Sequence, residues 1–422
     1  MTFSDFNLDE RLLMGLDAIG FSQPTPIQEA AIPLILQERD LIACAQTGTG
    51  KTAAFVLPVI HRILNHKNEH KIKALVLVPT RELAMQIDQN IQGLAYFAPV
   101  SSIAVFGGGD GQVFEVQKKA LLQGCEVVIA TPGRLISLLA SFKLDFSQLD
   151  TLILDEADRM LDMGFNEDIM KISSYLPKQR QNLMFSATMP PKIRKLANQL
   201  LSNPAEINLA VSKPAEGVTQ LFFPIEEMDK LKLLDHLLKS NHYPSMIIFA
   251  STKDKVKVLD RTIQRIGLKA KAFHSDLSQE ERDSAMLAFR NKQLPALIGT
   301  DIISRGIDVE GISLVVNFDV PPDPEDYIHR IGRTARAETT GTAITFVNPA
   351  DVLKFIRIEK MLDQRMEMQE IPAEVGVTPD LKLDEIRLSG KRTFRHQPNG
   401  QGQHSSGNKR RPFRKGNAQK NK

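Results

Sequence analysis

The chain has no tryptophan, four tyrosines and two cysteines, Cys44 and Cys125. Two isolated cysteines exclude a disulfide framework and a cysteine-based zinc site, and fit a reducing compartment. Aromatic residues are 6% of the chain, which argues against an extensive platform for stacking bases. No apolar run reaches the roughly 18 residues a membrane span requires. The opening MTFSDFNLDE has neither the basic n-region nor the apolar h-region of a secretory signal. A cytoplasmic protein without membrane attachment is therefore expected. His61, His66 and His70 lie on a polar stretch without acids or cysteines in a ligand pattern, so no metal site is expected there.

What is present is a long chain, 422 residues with 42% hydrophobic residues, enough for two packed domains and additional segments. The net charge of +3 is unevenly spread. Residues 391–422 hold ten Lys/Arg and no Asp/Glu, which leaves the remainder with 43 basic and 50 acidic residues. A mildly acidic body with a basic tail of Gln, Gly, Ser, Asn, Arg and Lys suggests a disordered end that meets nucleic acid.

Short apolar runs alternate with helical patterns. The first set is LIACA 41–45, ALVLVP 74–79, SIAVF 102–106, VVIA 127–130, TLILD 151–155 and LMFS 183–186. A second set is SMIIFA 245–250, AKAFH 270–274, ALIGT 296–300, SLVVNF 313–318 and TAITFV 342–347. Strands with little apolar/polar alternation are buried on both faces, as in parallel sheets. Alternation of strand and helix predicts an α/β fold with two tandem parallel-sheet domains. The expected boundaries are 1–210 and 218–365, joined by a linker at 211–217, with an extension at 366–390 and the basic tail from 391.

AQTGTGKT, residues 45–52, lies between the run LIACA and a helical pattern. It follows GxxxxGK[ST] except that Ala45 takes the first glycine position. Gly48 and Gly50 let backbone N–H groups approach phosphate, with Gln46, Thr47 and Thr49 completing the loop. The helix N-terminus adds partial positive charge. Lys51 would neutralise the β- and γ-phosphates, and Thr52 would hold Mg²⁺. Asp155 ends the buried run TLIL, where α/β folds place ligands. It would be the acidic Mg²⁺ partner, with Glu156 beside it to deprotonate the attacking water.

LDEAD with AQTGTGKT resembles the DEAD-box ATP-dependent RNA helicase family. The resemblance runs from residue 3 to about 346 through GFSQPTPIQ 20–28, PTREL 79–83, GG 107–108, TPGR 131–134, SAT 186–188, IIFAST 247–252, HSDLSQEER 274–282, GTDIISRGID 299–308 and HRIGRTAR 329–336. Motifs in this order imply tandem RecA-like domains and the cofactors ATP and Mg²⁺. Ser275, Ile303, Ser304 and Ala335 stand where the family commonly has smaller residues, which touches fine RNA geometry and removes no charged group.

The resemblance assigns roles to further residues. Gln28 would read adenine, since an amide can donate and accept at once, and Phe21 would cover the ring, with Phe3 nearby. Arg333 and Arg336 would be arginine fingers supplied from the second domain on closure. Asp308 would reach the ribose. Asp158 would meet His329 across the cleft and join the ATP site to Ser186 and Thr188. Arg81, Gly108, Thr131, Gly133 and Arg134 in the first domain, and Thr252, Arg282 and Thr300 in the second, would contact RNA. Such groups suit phosphate and 2′-hydroxyl and discriminate bases poorly. The implied activity is RNA-stimulated ATP hydrolysis by a monomer that separates short duplexes locally and non-processively or remodels RNA–protein complexes. The alternative is an ATP-gated RNA clamp; a DNA helicase is the weaker third reading. Ribosome assembly, RNA decay and cold adaptation are family settings, with partner proteins unidentified.

Overall fold

The computed structural model describes residues 1–45, 48–65, 71–108, 111–209, 217–241, 243–274, 276–301, 312–334 and 341–392. Gln46, Thr47, His66, His70, most of the linker, Ser275, Ile303, Ser304, Asp308, Ala335, Arg336 and the tail beyond 392 therefore lie outside the described residues.

Fourteen described strands form two sheets of seven. The first holds β1 Leu41–Cys44, β2 Ala74–Leu77, β3 Ser102–Val105, β4 Val127–Ala130, β5 Thr151–Leu154, β6 Gln181–Ser186 and β7 Ala205–Asn208. The second holds β8 Val218–Pro224, β9 Met246–Phe249, β10 Ala270–Phe273, β11 Ala296–Gly299, β12 Leu314–Asn317, β13 Gly341–Val347 and β14 Glu367–Met368. The spatial orders are β3-β4-β2-β5-β6-β1-β7 and β10-β11-β9-β12-β13-β8-β14. The second order is the first advanced by seven, and the ladders are parallel. The chain thus builds one architecture twice, the tandem RecA-like arrangement, although only its first half carries a phosphate loop.

Burial follows from the sequence of the strands. In β1, Leu41 and Ala43 join one apolar cluster with Phe55 and Ile60, while Ile42 joins a second with Leu75 and Leu152. Both faces are covered by helices, so successive strand residues are all apolar. The runs read from sequence recover eleven strands. The three they miss are β7, β8 and β14. β7 buries only Ile207, β8 carries Thr219 and Gln220 and ends in Pro224, and β14 has two exposed residues. None has the uninterrupted apolar run that marks a doubly covered strand.

Helix starts place polar groups at the carboxyl edge of the sheets. Thr80 caps the helix Arg81–Leu94, its Oγ1 accepting from Leu83 N at 3.3 Å. Thr25 and Gln28 form a capping box on the helix Pro26–Leu36. Pro132 opens the helix Pro132–Ser141, where its missing N–H costs nothing. Gln28, Arg81 and Arg134 thereby sit in first turns. Residues Met1–Leu381 form one compact unit and residues from Lys382 another; the latter's described part is Lys382 and the helix Leu383–Arg392.

Candidate active site and nucleic-acid interface

The phosphate loop joins β1 to the helix Lys51–Asn65. Gly48 and Gly50 have φ of 81° and 89°, the left-handed region that glycine occupies without penalty. A Cβ on Gly50 would lie 2.5 Å from Gln28 Nε2, so close approach also demands glycine there. Gln28 is buried; its Nε2 donates to Gly50 O at 3.0 Å and its Oε1 accepts from Thr25 N at 2.9 Å. Each end of the amide keeps one further hydrogen-bonding capacity. Phe21 is exposed, whereas Phe3 is buried with its ring edge-on to Phe6.

Lys51 is buried and its ammonium donates to Ala45 O at 2.7 Å. Thr52 follows it, half-buried, in the same first turn. Asp155 comes directly after β5 and is buried; its Oδ1 accepts from Glu156 N at 2.9 Å. Burial pushes its carboxyl up to about 6, with Lys51 opposing and Glu156 and Asp158 adding to the rise. The carboxylate of Asp155 and the hydroxyl of Thr52 are both hard oxygen donors, of the kind that fits Mg²⁺. Among the described residues no cluster of three or more His, Cys, Asp or Glu converges as it would for a metal held by protein alone.

Glu156 adopts φ 50° and ψ 51°, a strained conformation for a residue with a side chain. Its carboxylate accepts from Arg159 Nη1. Arg159 is buried, and its Nε and Nη2 are enclosed without hydrogen-bond partners among the described residues. Asp158 Oδ2 accepts from Ala187 N and Thr188 N, both at 3.0 Å, and from Thr188 Oγ1 at 3.2 Å. One carboxylate oxygen thus grips the segment after β6. Ser186 Oγ, at the end of that strand, is fully enclosed without a hydrogen-bond partner among the described residues.

Asp158, Arg159, Asp162 and Thr188 of the first lobe line one cavity with Asp323, Glu325, Asp326 and His329 of the second. His329 lies on the helix Pro324–Ile331. Desolvation and the positive charges of Arg159, Arg333 and Lys51 hold its imidazole well below the usual range, with Glu156 opposing. Burial raises the Glu325 carboxyl, with Asp323, Asp158, Asp162 and Asp326 contributing. The same helix is anchored by buried Arg330, whose Nε donates to Asp301 Oδ1 at 2.6 Å and whose Nη1 donates to Asp319 O at 2.9 Å. Arg333, also buried, donates from Nε to His329 O at 3.4 Å.

The groups assigned to RNA lie on both lobes. Arg81 stands over the Phe106 ring at 4.8 Å and Arg134 over Phe114 at 4.7 Å. Gly108 has φ 88°, and a Cβ there would meet Arg81 Nη1 at 3.2 Å. Thr131 occupies the N-cap position of the helix that carries Arg134 without a side-chain cap bond, and Gly133 is exposed with open space at its Cβ. In the second lobe Thr252 caps the helix Lys253–Arg265, its Oγ1 accepting from Lys255 N at 3.3 Å. Arg282 donates from Nη2 to His274 O at 3.5 Å, and Thr300 follows β11. Arg81 and Asp283 approach to 3.8 Å between the lobes.

The structure brings together Lys51, Asp155, Glu156, Asp158, Thr188, His329 and Arg333. Sequence reading missed Phe106, Phe114, Gln117, Arg159, Asp283 and Arg330. Arg330 had a signal, since a second arginine inside HRIGR has to be neutralised if buried; the others are marked by no local pattern.

Residues 25–196 match the DEAD/DEAH box helicase family model and residues 229–338 match that of the helicase conserved C-terminal domain. The chain is 42% identical over 372 residues to the DEAD-box ATP-dependent RNA helicase RhpA of Helicobacter pylori, spanning 88% of this chain and 74% of the relative. It superposes on S. cerevisiae Dbp5 bound to RNA and ADP BeF3 with a TM-score of 0.78 at 31% identity, covering 93% of this chain and 100% of that one. Against a Dbp5 variant bound to Nup159, Gle1, IP6 and ADP, the TM-score is 0.62 at 32% identity, over 91% of this chain and 99% of that one.

Proposed function

From the premise that the chain belongs to the DEAD-box ATP-dependent RNA helicase family and is an ATP-hydrolysing enzyme, we propose that it couples RNA-stimulated hydrolysis to lobe closure and opens short RNA duplexes locally. The observation that carries this is the cavity that Asp158, Arg159 and Thr188 of the first lobe line together with Glu325 and His329 of the second, with Arg333 bonded to His329 O. The higher TM-score against the RNA-bound relative supports reading this arrangement as the closed one.

In this reading the loop from Gln46 to Gly50 cradles the phosphates, Gln28 and Phe21 receive adenine, and Asp308 takes the ribose. Glu156 removes a proton from the attacking water. Lys51, Arg333 and Arg336 stabilise charge that grows on the transferred phosphoryl oxygens. Thr52 and Asp155 would hold Mg²⁺, which when bound neutralises phosphate charge. Asp158, by gripping Thr188 while facing the His329 cavity, links the chemistry to the lobe interface.

RNA lying across Arg81, Gly108, Thr131, Gly133 and Arg134 on one lobe and Thr252, Arg282 and Thr300 on the other favours the closed form, so ATP and RNA tighten each other's binding. Each base-pair step costs on the order of 1.4 kcal/mol to open, taking DNA stacking as the guide. One closure therefore disrupts a few pairs. We place the protein in the cytoplasm as a monomer, with lobes at 1–210 and 218–365. The basic tail keeps RNA near the core.

Strand separation measured beside ATPase on duplexes of about 10 and about 40 pairs tests the proposal, since the cost scales with length. The short duplex should open far faster. Equal rates would refute local opening, and ATPase without separation would favour the clamp. Crosslinking and sequencing bound RNA in cells distinguishes ribosome assembly, RNA decay and cold adaptation.

A further inference from the structure

Gln117 sits in the middle of the helix Gly111–Gln123 and is buried. Its Nε2 donates to Phe106 O at 3.2 Å, and its Oε1 accepts from Arg134 Nε at 3.1 Å. A single amide thereby ties three segments: the exit of β3, its own helix and the first turn of the helix Pro132–Ser141. Of its two partners, one carries an arginine on its ring and the other is an arginine. Phe106 carries the Arg81 guanidinium on its ring, and Phe114, one turn before Gln117, carries that of Arg134. Arg134 is therefore held on one face by a ring and along one edge by an amide, both from the same helical turn.

The remaining edges are not hydrogen-bonded among the described residues, although carboxylates of Glu82 and Asp283 approach Arg81 at 3.9 and 3.8 Å. Arg81 Nε and Nη1 and Arg134 Nη2 are enclosed without hydrogen-bond partners among the described residues. Enclosed guanidinium N–H groups require acceptors, and two such groups in one frame match phosphodiester oxygens. The choice of glutamine has a physical reason. A neutral amide orients Arg134 without cancelling its charge, whereas a carboxylate at the same place would pair with it and compete with phosphate.

We propose that Gln117 is a positioning residue for the RNA backbone, holding Arg81 and Arg134 as one phosphodiester grip. This rests on the RNA-binding reading above. In the full-length protein, binding of a labelled single-stranded oligouridylate in the presence of a non-hydrolysable ATP analogue, and ATPase titrated with RNA, should be compared for wild type, Gln117→Met, Gln117→Glu and Arg134→Ala. Loss of a charge-assisted bond predicts about a ten-fold rise in half-saturating RNA for Gln117→Met. Turnover at saturating RNA should be retained. Gln117→Glu should bind RNA more weakly still, with a flatter salt dependence, because one cation is neutralised. The double variant with Arg134→Ala should be little worse than Arg134→Ala alone.

A residue needed merely for packing would reverse the order, since Glu keeps the acceptor for Arg134 and Met does not. If Gln117→Met melts early, the comparison of Gln117→Glu with wild type carries the test. RNA binding unchanged in both Gln117 variants, with Arg134→Ala weakened, would overturn the inference alone. RNA binding unchanged in Arg134→Ala as well would overturn the assignment of this face to RNA and the inference with it.

Discussion

Arg81 in the first lobe and Asp283 in the second face each other at 3.8 Å, so an acid occupies the approach to an arginine assigned to RNA. Asp283 stands next to Arg282, on the helix Gln279–Arg290. If RNA phosphate binds Arg81 as proposed, it meets this carboxylate first as a competitor and then as a repelling neighbour. The Asp283 side chain is 53% exposed, so its effect is screened and modest. Asp283→Asn should lower the RNA concentration for half-maximal ATPase by roughly two- to five-fold, consistent with up to about 1 kcal/mol. The gain should shrink as salt rises. An unchanged or higher requirement for RNA would show that the contact does not compete.

Gln28 contacts the phosphate loop directly through Gly50 O, so its replacement should act on two properties. Gln28→Ala should reduce discrimination between ATP and GTP, because the paired donor and acceptor for adenine are lost. It should also loosen the loop, raising the half-saturating ATP concentration. Competition of the two nucleotides for turnover measures both. Discrimination equal to wild type would remove Gln28 from the base pocket.

How much of this was legible beforehand depended on distance along the chain. Lys51 and Thr52 were readable because a loop between a strand and a helix has its own spacing rule, and Asp155 because it ends a buried run. Phe106, Gln117 and Arg134 become one unit only when β3 and β4 pair, and Asp283 acquires meaning only opposite Arg81. Neither relation leaves a local pattern. The missed strands β7 and β14 have the same cause, since their neighbours and not their composition make them strands.

Asp155 gives a pH signature in the absence of nucleotide and metal. Burial raises its carboxyl from 3.8 to about 6, with Lys51 opposing. The folded state therefore holds a proton that the unfolded state releases between about pH 4 and about pH 6. The resulting stability is complete below the unfolded value and is lost as pH rises through the folded one. Asp155→Asn removes the burial penalty, so at neutral pH it should stabilise the metal-free protein by about 2–3 kcal/mol. The difference should vanish near pH 4, while ATPase is abolished. Thermal melts across pH with a chelator check this; a destabilised variant at pH 7 would contradict it.

Arg333 carries the claim that the second lobe completes the catalytic site. Its position is set by buried Arg330, which fixes the helix Pro324–Ile331 to Asp301 and Asp319, and by its own bond to His329 O. The positive charges of Lys51 and Arg333 both hold the His329 imidazole below its usual range, and His329 lines the cavity between the lobes. If Arg333 stabilises charge on the transferred phosphoryl group, Arg333→Ala should lower turnover at saturating RNA by about 10³-fold or more, with half-saturating ATP changed far less. Arg333→Lys should recover little, because an ammonium lacks the planar fork. Were the cation instead a prop for the interface, the lysine variant would restore most activity and RNA affinity would fall with turnover. Single-turnover hydrolysis measured beside RNA binding separates the two, and turnover of Arg333→Ala within ten-fold of wild type would remove the second lobe from the chemistry.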